Sequence, residues 1–387
     1  MKKRLKIAMV GMYGGMWREY NPGCFLLGYM TARELKKRLP FAQIDLYAID
    51  NKAEQDRLVI EKRWGLTLRF FSRKQQLRLL EDVLPRYDAL VFGGDIIWGG
   101  DDVVDDNEIF FVRSPAFLKA QKPMVLFNSV HTFYDDGRIA SQREKFVDAA
   151  ARASYVSVRT EAIRKRLRSI GIDAAVFVPD PVLDLDTKLL ARYKLPRFRE
   201  NASRAKRPVL GISLRSKLAS ELIDLLKHAD LSAYDVLIFP YSRQYENLET
   251  VLAVEKAFGK RFSYIKEYLN PFQSYRLTSE LDAYITDAYH GAIAAALYGV
   301  PFVSIDVEAE KTSRKQQLLE TLKIPERYNI RLAYGDRRNA STLIREVPKL
   351  LRQPLRYDRR ALARARRQIR LHFDRMAEMI KRSIIDI

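Results

Sequence analysis

Tyr284-Ile285-Thr286-Asp287-Ala288-Tyr289-His290-Gly291-Ala292 runs on through Ile293–Tyr298 into Gly299-Val300-Pro301, with Phe302–Ile305 close behind. The stretch reads as an apolar strand, a polar residue able to cap, a small-residue helix stopped by glycine, and a second apolar strand. Neither apolar run alternates with polar residues, which marks strands covered on both faces. A strand, helix and strand joined by short links form a parallel βαβ unit.

The same grammar extends in both directions. Leu5–Val10, Ile44–Ile49, Ala89–Phe92, Met124–Ser129, Tyr155–Val158 and Ala175–Val178 are candidate strands in the first half. Val209–Ser213, Val236–Phe239 and Phe262–Tyr264 precede Ala283–Thr286 in the second. Amphipathic stretches lie between them, among them Leu27–Arg38, Glu161–Ile170, Ser220–His228 and Asn247–Phe258. The fold class is therefore α/β, with two Rossmann-like parallel-sheet domains expected to face a cleft. Residues 1–188 form the first domain and 189–207 a basic linker. Residues 208–348 form the second, and 349–387 a basic amphipathic helix. In that last segment Leu362, Ala365, Ile369, Phe373, Met376, Met379 and Ile380 recur at spacings of three and four, the signature of one apolar helix face.

Composition narrows the function classes. The chain has 387 residues and 47% hydrophobic content, enough for two cores. Lys and Arg number 68 against 48 Asp and Glu, a formal charge of +20, so a partner carrying negative charge is expected. A single cysteine, Cys24, excludes an internal disulfide and a thiolate metal cluster. The longest apolar run, Ala292 to Ile305, is broken by Gly299 and Pro301 and falls short of the ~20 residues of a spanning helix. Met1-Lys2-Lys3-Arg4 looks like the start of a signal peptide, but Ile7–Gly11 is too short for its apolar core, so a cytoplasmic protein is expected. No zinc-finger, RNP or basic-zipper pattern accompanies the charge, and a nucleic-acid partner is not expected.

Candidate chemistry gathers at predicted strand ends. His290 falls where a strand gives way to a helix N-terminus, whose N–H groups and dipole attract phosphate or carboxylate. Gly291 and the alanines after it allow close backbone approach. Gly93-Gly94-Asp95 follows Ala89–Phe92, and Asp95 reads equally as a base or a turn cap. Arg215, after Val209–Ser213, can fork onto a carboxylate or phosphate, or can be a surface cation. Tyr241 ends another strand. The acidic cluster Asp101 to Glu108 can bind Mg²⁺ in principle, but reads better as a solvated loop, and no resident metal is expected. Pro179 and Pro181 fix an extended corner around Asp180, favouring a structural role there.

Taken in order, these pieces resemble the polysaccharide pyruvyl transferase family over roughly Lys6 to Leu322. The matching pieces are the loop ending Asn21-Pro22-Gly23, then Gly93-Gly94-Asp95, then Val158-Arg159-Thr160 with Gly171 and Asp180-Pro181. Ser213-Leu214-Arg215 and the run from His290 to Gly299-Val300-Pro301 complete the set. The resemblance implies a GT-B-like fold with the acceptor on the first domain and the donor on the second. It implies transfer of pyruvate from phosphoenolpyruvate, a donor substrate and not a cofactor, onto two hydroxyls of a sugar or lipid-linked oligosaccharide as a ketal. It makes His290 the expected general acid, Asp95 the expected base with Asp287 second, and Arg215 a donor-binding cation. Asn21, Gly93, Gly94, Tyr241, Tyr289 and Gly291 are expected to line the substrates. Many family members carry Arg-Leu-His where this chain has Ala288-Tyr289-His290, and Lys311 or Arg314 is the candidate replacement for the missing arginine. The basic tail fits an anionic glycan or the inner face of a membrane. The competing reading is a GT-B glycosyltransferase with a nucleotide-sugar donor.

Overall fold

A computed structural model describes residues 5–10, 22–49, 67–71, 82–93, 96–98, 124–131, 150–196, 207–241, 245–259, 262–266, 269–307, 314–333, 335–353 and 355–385. Contacts divide the chain into two units. Met1–Trp17, Cys24–Pro181 and Arg366–Ile387 make the first, and Arg18–Gly23 with Val182–Ala365 make the second.

The first unit is built on β1 (Lys6–Val10), β2 (Gln43–Ile49), β3 (Thr67–Phe71), β4 (Ala89–Gly93), β5 (Ile96–Trp98), β6 (Met124–His131), β7 (Tyr155–Val158) and β8 (Val176–Phe177). They form a sheet of order β3-β2-β1-β4-β6-β7-β8, with β5 paired to β6. Every pairing is parallel. Helix α1 (Pro22–Arg38) buries Phe25, Leu26, Tyr29, Met30 and Leu35. Helix α2 (Glu161–Arg168) starts at Thr160, whose hydroxyl accepts the backbone N–H of Ile163 at 3.1 Å. Just before it, buried Arg159 donates to buried Asp180 across 3.1 Å, tying the end of β7 to the proline-flanked corner.

The second unit carries β9 (Val209–Ser213), β10 (Asp235–Ile238), β11 (Ser263–Tyr264), β12 (Ala283–Thr286), β13 (Phe302–Val307) and β14 (Asn329–Leu332), all parallel, in the order β11-β10-β9-β12-β13-β14. Its helices are α3 (Thr187–Leu190), α4 (Ala219–His228), α5 (Tyr245–Phe258), α6 (Pro271–Thr278), α7 (Tyr289–Tyr298), α8 (Arg314–Leu322) and α9 (Asn339–Arg352). The chain progresses outward on either side of the β9/β12 pair, so the crevice at the carboxyl ends of these two strands is the switch point where open parallel sheets bind ligands. Helix α7 is buried from His290 through Leu297, as an all-apolar helix must be, and Gly299 ends it in the left-handed region at φ 71°.

The long helix α10 (Arg359–Ile385) carries the basic tail. Ala365, Ile369, Phe373, Met376 and Ile380 are buried at the spacing read from the sequence, Leu362 and Met379 of that set are half-buried and Ala361 is buried in addition, and the bases Arg359, Arg360, Arg364, Arg367, Arg370, Arg375, Lys381 and Arg382 are exposed. In the first unit Arg38 from α1 donates to Asp374 at 2.6 Å and stacks over Phe373 at 5.7 Å. The helix also buries His372, whose Nδ1 lies 2.7 Å from the Tyr155 hydroxyl. Burial, reinforced by the charges of Arg375 and Arg38, pushes this histidine down to about 3. The native ring therefore stays neutral while the unfolded ring takes up a proton near its ordinary value. Stability is full above about pH 6.5 and falls as the pH drops toward 3, by about 2 kcal/mol at pH 5 from this group. Urea unfolding at pH 7.5 and pH 5 should show that loss in the native protein, and a smaller one in His372→Gln. Equal losses in both would contradict it.

Candidate active site

The carboxyl ends of β9 and β12 lie side by side, with Ser213 in register with Thr286. Beyond β12 the chain turns at once into α7. Thr286 holds the turn by accepting the backbone N–H of Ala288 at 3.1 Å. Ala288 at the N-cap has no side-chain oxygen of its own, so the first turn of α7 receives no side-chain cap from it.

Two charged residues meet here. Arg215, two residues past β9, donates from Nε to Asp287 across 2.7 Å. The Asp287 side chain is 2% exposed and that of Arg215 is 35% exposed, so the carboxylate is the buried anchor and the guanidinium reaches toward solvent. A carboxylate already committed to a charge-assisted bond suits holding an arginine better than accepting a substrate proton.

His290 lies on the first turn of α7 and is 6% exposed. Its Nδ1 sits 3.2 Å from the hydroxyl of Tyr275, a fully buried residue of α6. Tyr289 packs its ring edge-on to the imidazole at 5.0 Å, and Arg314 at the start of α8 places its guanidinium 5.6 Å above the Tyr289 ring. Arg314, Tyr289 and His290 thus form one chain of contacts. The beginning of α8 is pinned beside it by Lys315, a buried lysine that donates to the Ile305 carbonyl at 2.6 Å and to Asp306 at 2.8 Å. Asn329 donates to the other Asp306 oxygen at 3.3 Å and accepts from Ser304 at 2.6 Å, so Asp306 is satisfied on both oxygens.

Other residues singled out from the sequence fall differently. Gly291 faces the sheet. A Cβ there would lie 2.5 Å from the Thr286 hydroxyl and 3.1 Å from that of Tyr284, so its missing side chain lets α7 sit close on β12. Tyr241 is buried with its ring 6.3 Å from that of Tyr275. Gly93 ends β4 in the first unit. Asn21, Gly94, Asp95, Lys311 and the acidic run from Asp101 to Glu108 lie outside the described residues. Among the described residues no cluster of acids, histidines or cysteines has the arrangement of a metal site. Sequence reasoning missed Tyr275 and Lys315, both inside helices of unremarkable composition.

The sequence model of the family described as polysaccharide pyruvyl transferase matches residues 21–308. The chain belongs to the polysaccharide pyruvyl transferase family. That match takes in Arg215, Asp287, His290 and Tyr275, and stops short of Arg314 and Lys315. No curated protein matches the chain. Among solved structures, UDP-GlcNAc 2-epimerase from Methanocaldococcus jannaschii aligns with TM-score 0.60 at 14% identity, over 95% of this chain and 98% of that one. UDP-N-acetylglucosamine 2-epimerase from Rickettsia bellii gives 0.60 at 11% identity, over 98% and 96%. MurG from Acinetobacter baumannii gives 0.51 at 13%, over 98% and 99%. At these identities the likeness is one of fold, and the fold is GT-B-like. Among the described residues no helix is long and apolar enough to cross a membrane.

Proposed function

We propose that this transferase moves pyruvate from phosphoenolpyruvate onto two hydroxyls of one sugar, giving a cyclic ketal and inorganic phosphate. The observation that carries the reading is the placement, in a member of this family, of a histidine on the first turn of α7 after β12 and of an arginine braced by Asp287 after the adjacent β9, both at the switch point. Phosphoenolpyruvate brings a phosphate and a carboxylate. The N-terminus of α7 and Arg215 suit the phosphate. Arg314, stacked on Tyr289, supplies the cation for the carboxylate that Ala288 does not, and Lys315 fixes the turn that presents it.

The enol methylene takes a proton from His290, leaving positive charge on C2 shared with its oxygen. A sugar hydroxyl adds to C2 and surrenders its proton. The C2–O bond to phosphate then breaks, and the second hydroxyl closes the ketal and releases a second proton. Of the two protons released, one replaces that given by His290 and the other leaves with phosphate. Asp95 is the proposed acceptor of the hydroxyl proton. The exposed bases of α10 suit an anionic glycan or the headgroups around a lipid-linked acceptor.

A nucleotide-sugar donor is the second reading, favoured by the fold alone, since one M. jannaschii epimerase of this fold was solved in complex with UDP-GlcNAc and UDP. The two readings separate in one assay. Purified protein is given phosphoenolpyruvate, UDP-sugars, and a panel of sugar and lipid-linked acceptors. Phosphate release that depends on acceptor, with pyruvate recovered on the glycan by mass spectrometry, is the expected result. UDP release with phosphoenolpyruvate untouched would replace this reading with the second.

A further inference from the structure

The imidazole of His290 is held from two sides by residues that do no chemistry themselves. On one side stands the Tyr275 hydroxyl, 3.2 Å from Nδ1. Its helix is firmly seated: Asn270 and Gln273 close a reciprocal capping box at 2.9 and 3.0 Å, Pro271 opens the first turn, and Gln273 also donates to the Lys194 carbonyl at 2.8 Å. Tyr275 is fully buried, so its hydroxyl cannot swing away to water. On the other side is Gly23, which groups with the second unit. A Cβ on Gly23 would lie 2.0 Å from Cδ2, 2.1 Å from Cγ and 2.6 Å from Nε2 of His290. The glycine backbone therefore abuts the ring, and any side chain there would occupy the imidazole's own space.

We infer that Tyr275 and Gly23 are positioning residues that fix one rotamer and one tautomer of His290, with Nδ1–H donating to the Tyr275 oxygen and Nε2 as the nitrogen that exchanges protons. The inference rests on the reading of His290 as the proton donor. In the charged ring both nitrogens carry hydrogen, and Tyr275 takes the bond from Nδ1. When Nε2 delivers its proton, the ring is left as the Nδ1–H tautomer with a lone pair on Nε2, ready to be recharged without turning over. A ring free to flip would spend part of each cycle with the wrong nitrogen toward the substrate.

The test uses full-length protein labelled with ¹⁵N at histidine. The chain has four histidines, so each ring can be followed, and the signal missing from His290→Asn identifies the one that matters. The expected wild-type result, at a pH where the ring is neutral, is an unprotonated nitrogen at Nε2. In Tyr275→Phe, which keeps the buried ring, the Nε2–H tautomer should rise. In Gly23→Ala the His290 signals should shift while those of His228 and His372 stay, which also shows that the fold persists. A wild-type ring protonated at Nε2 alone, or a His290 signal that ignores Tyr275→Phe, overturns the inference. None of these measurements needs a substrate, so they stand apart from the identity of the donor. With phosphoenolpyruvate as donor, Tyr275→Phe should lower kcat by about 10–100-fold with KM nearly unchanged, and should move the acidic-group limb of the pH–rate profile. An unmoved limb counts against the inference.

Discussion

His290→Asn should lower acceptor-dependent phosphate release from phosphoenolpyruvate by about 10²–10⁴-fold, with the melting temperature close to that of the native protein. Asparagine fills much of the same volume and its amide can meet the Tyr275 hydroxyl, but it cannot carry a proton to carbon. The enol carbon is a poor base in water, so the step that generates positive charge at C2 depends on a donor held against it. The neighbouring phenols are poor substitutes. Tyr289 lies edge-on to the ring, Tyr275 meets it at Nδ1, and a phenol is a far weaker acid than an imidazolium. Donor binding should survive, because the phosphate and carboxylate contacts assigned to Arg215, Arg314 and the start of α7 are untouched. The variant should accordingly bind phosphoenolpyruvate with about native affinity by calorimetry while failing in turnover. A variant that turns over at near-native rate would remove the imidazole from the reaction. One that loses binding and rate together would make His290 a donor-binding group.

The sequence carried the fold because its signal is local and repeated. Apolar runs without alternation identify doubly covered strands, and Tyr155–Val158, Val209–Ser213 and Ala283–Thr286 coincide with β7, β9 and β12 residue for residue. Three strands went unread. β3 and β14 lie at the edges of their sheets, and β14 is only four residues long with Arg331 exposed in its middle, so neither presents a long apolar run. β5 is three residues long and pairs off the main path. At the site, His290 and Arg215 stand out because each directly follows a legible strand. Their holders do not stand out. Tyr275 is one of 20 tyrosines and meets His290 across fifteen positions that no helical or strand period connects. Lysine is ordinarily a surface residue, so Lys311 and Arg314 read as the useful cations. The structure buries the next residue, Lys315, against Asp306, nine positions earlier. Tertiary pairing of this kind has no one-dimensional signature.

Asp180→Ala should destabilise the first unit by about 3–5 kcal/mol without touching the reacting atoms. Asp180 and Arg159 have side chains 0% and 2% exposed, and they meet at 3.1 Å. Removing the carboxylate leaves a guanidinium that burial keeps from water and that cannot shed its charge, since arginine does not deprotonate in this range. The corner itself is rigid: Pro179 and Pro181 limit the backbone on either side, Val178 donates to the Val158 carbonyl at 2.9 Å, and the chain coils at once into the short turn Pro181–Asp184. The corner is therefore not free to rearrange around Arg159. The cost therefore exceeds the worth of the ion pair, and a double variant separates the two. Arg159→Met with Asp180→Leu removes both charges and keeps apolar bulk, so it should lose clearly less stability than Asp180→Ala alone. Urea unfolding of the native protein, both single variants and the double variant closes the cycle. Below its own unfolding transition Asp180→Ala should retain near-native KM for phosphoenolpyruvate. A loss under 1 kcal/mol would contradict this account of the buried pair, and a selective rise in KM at full folding would make this corner part of a binding surface.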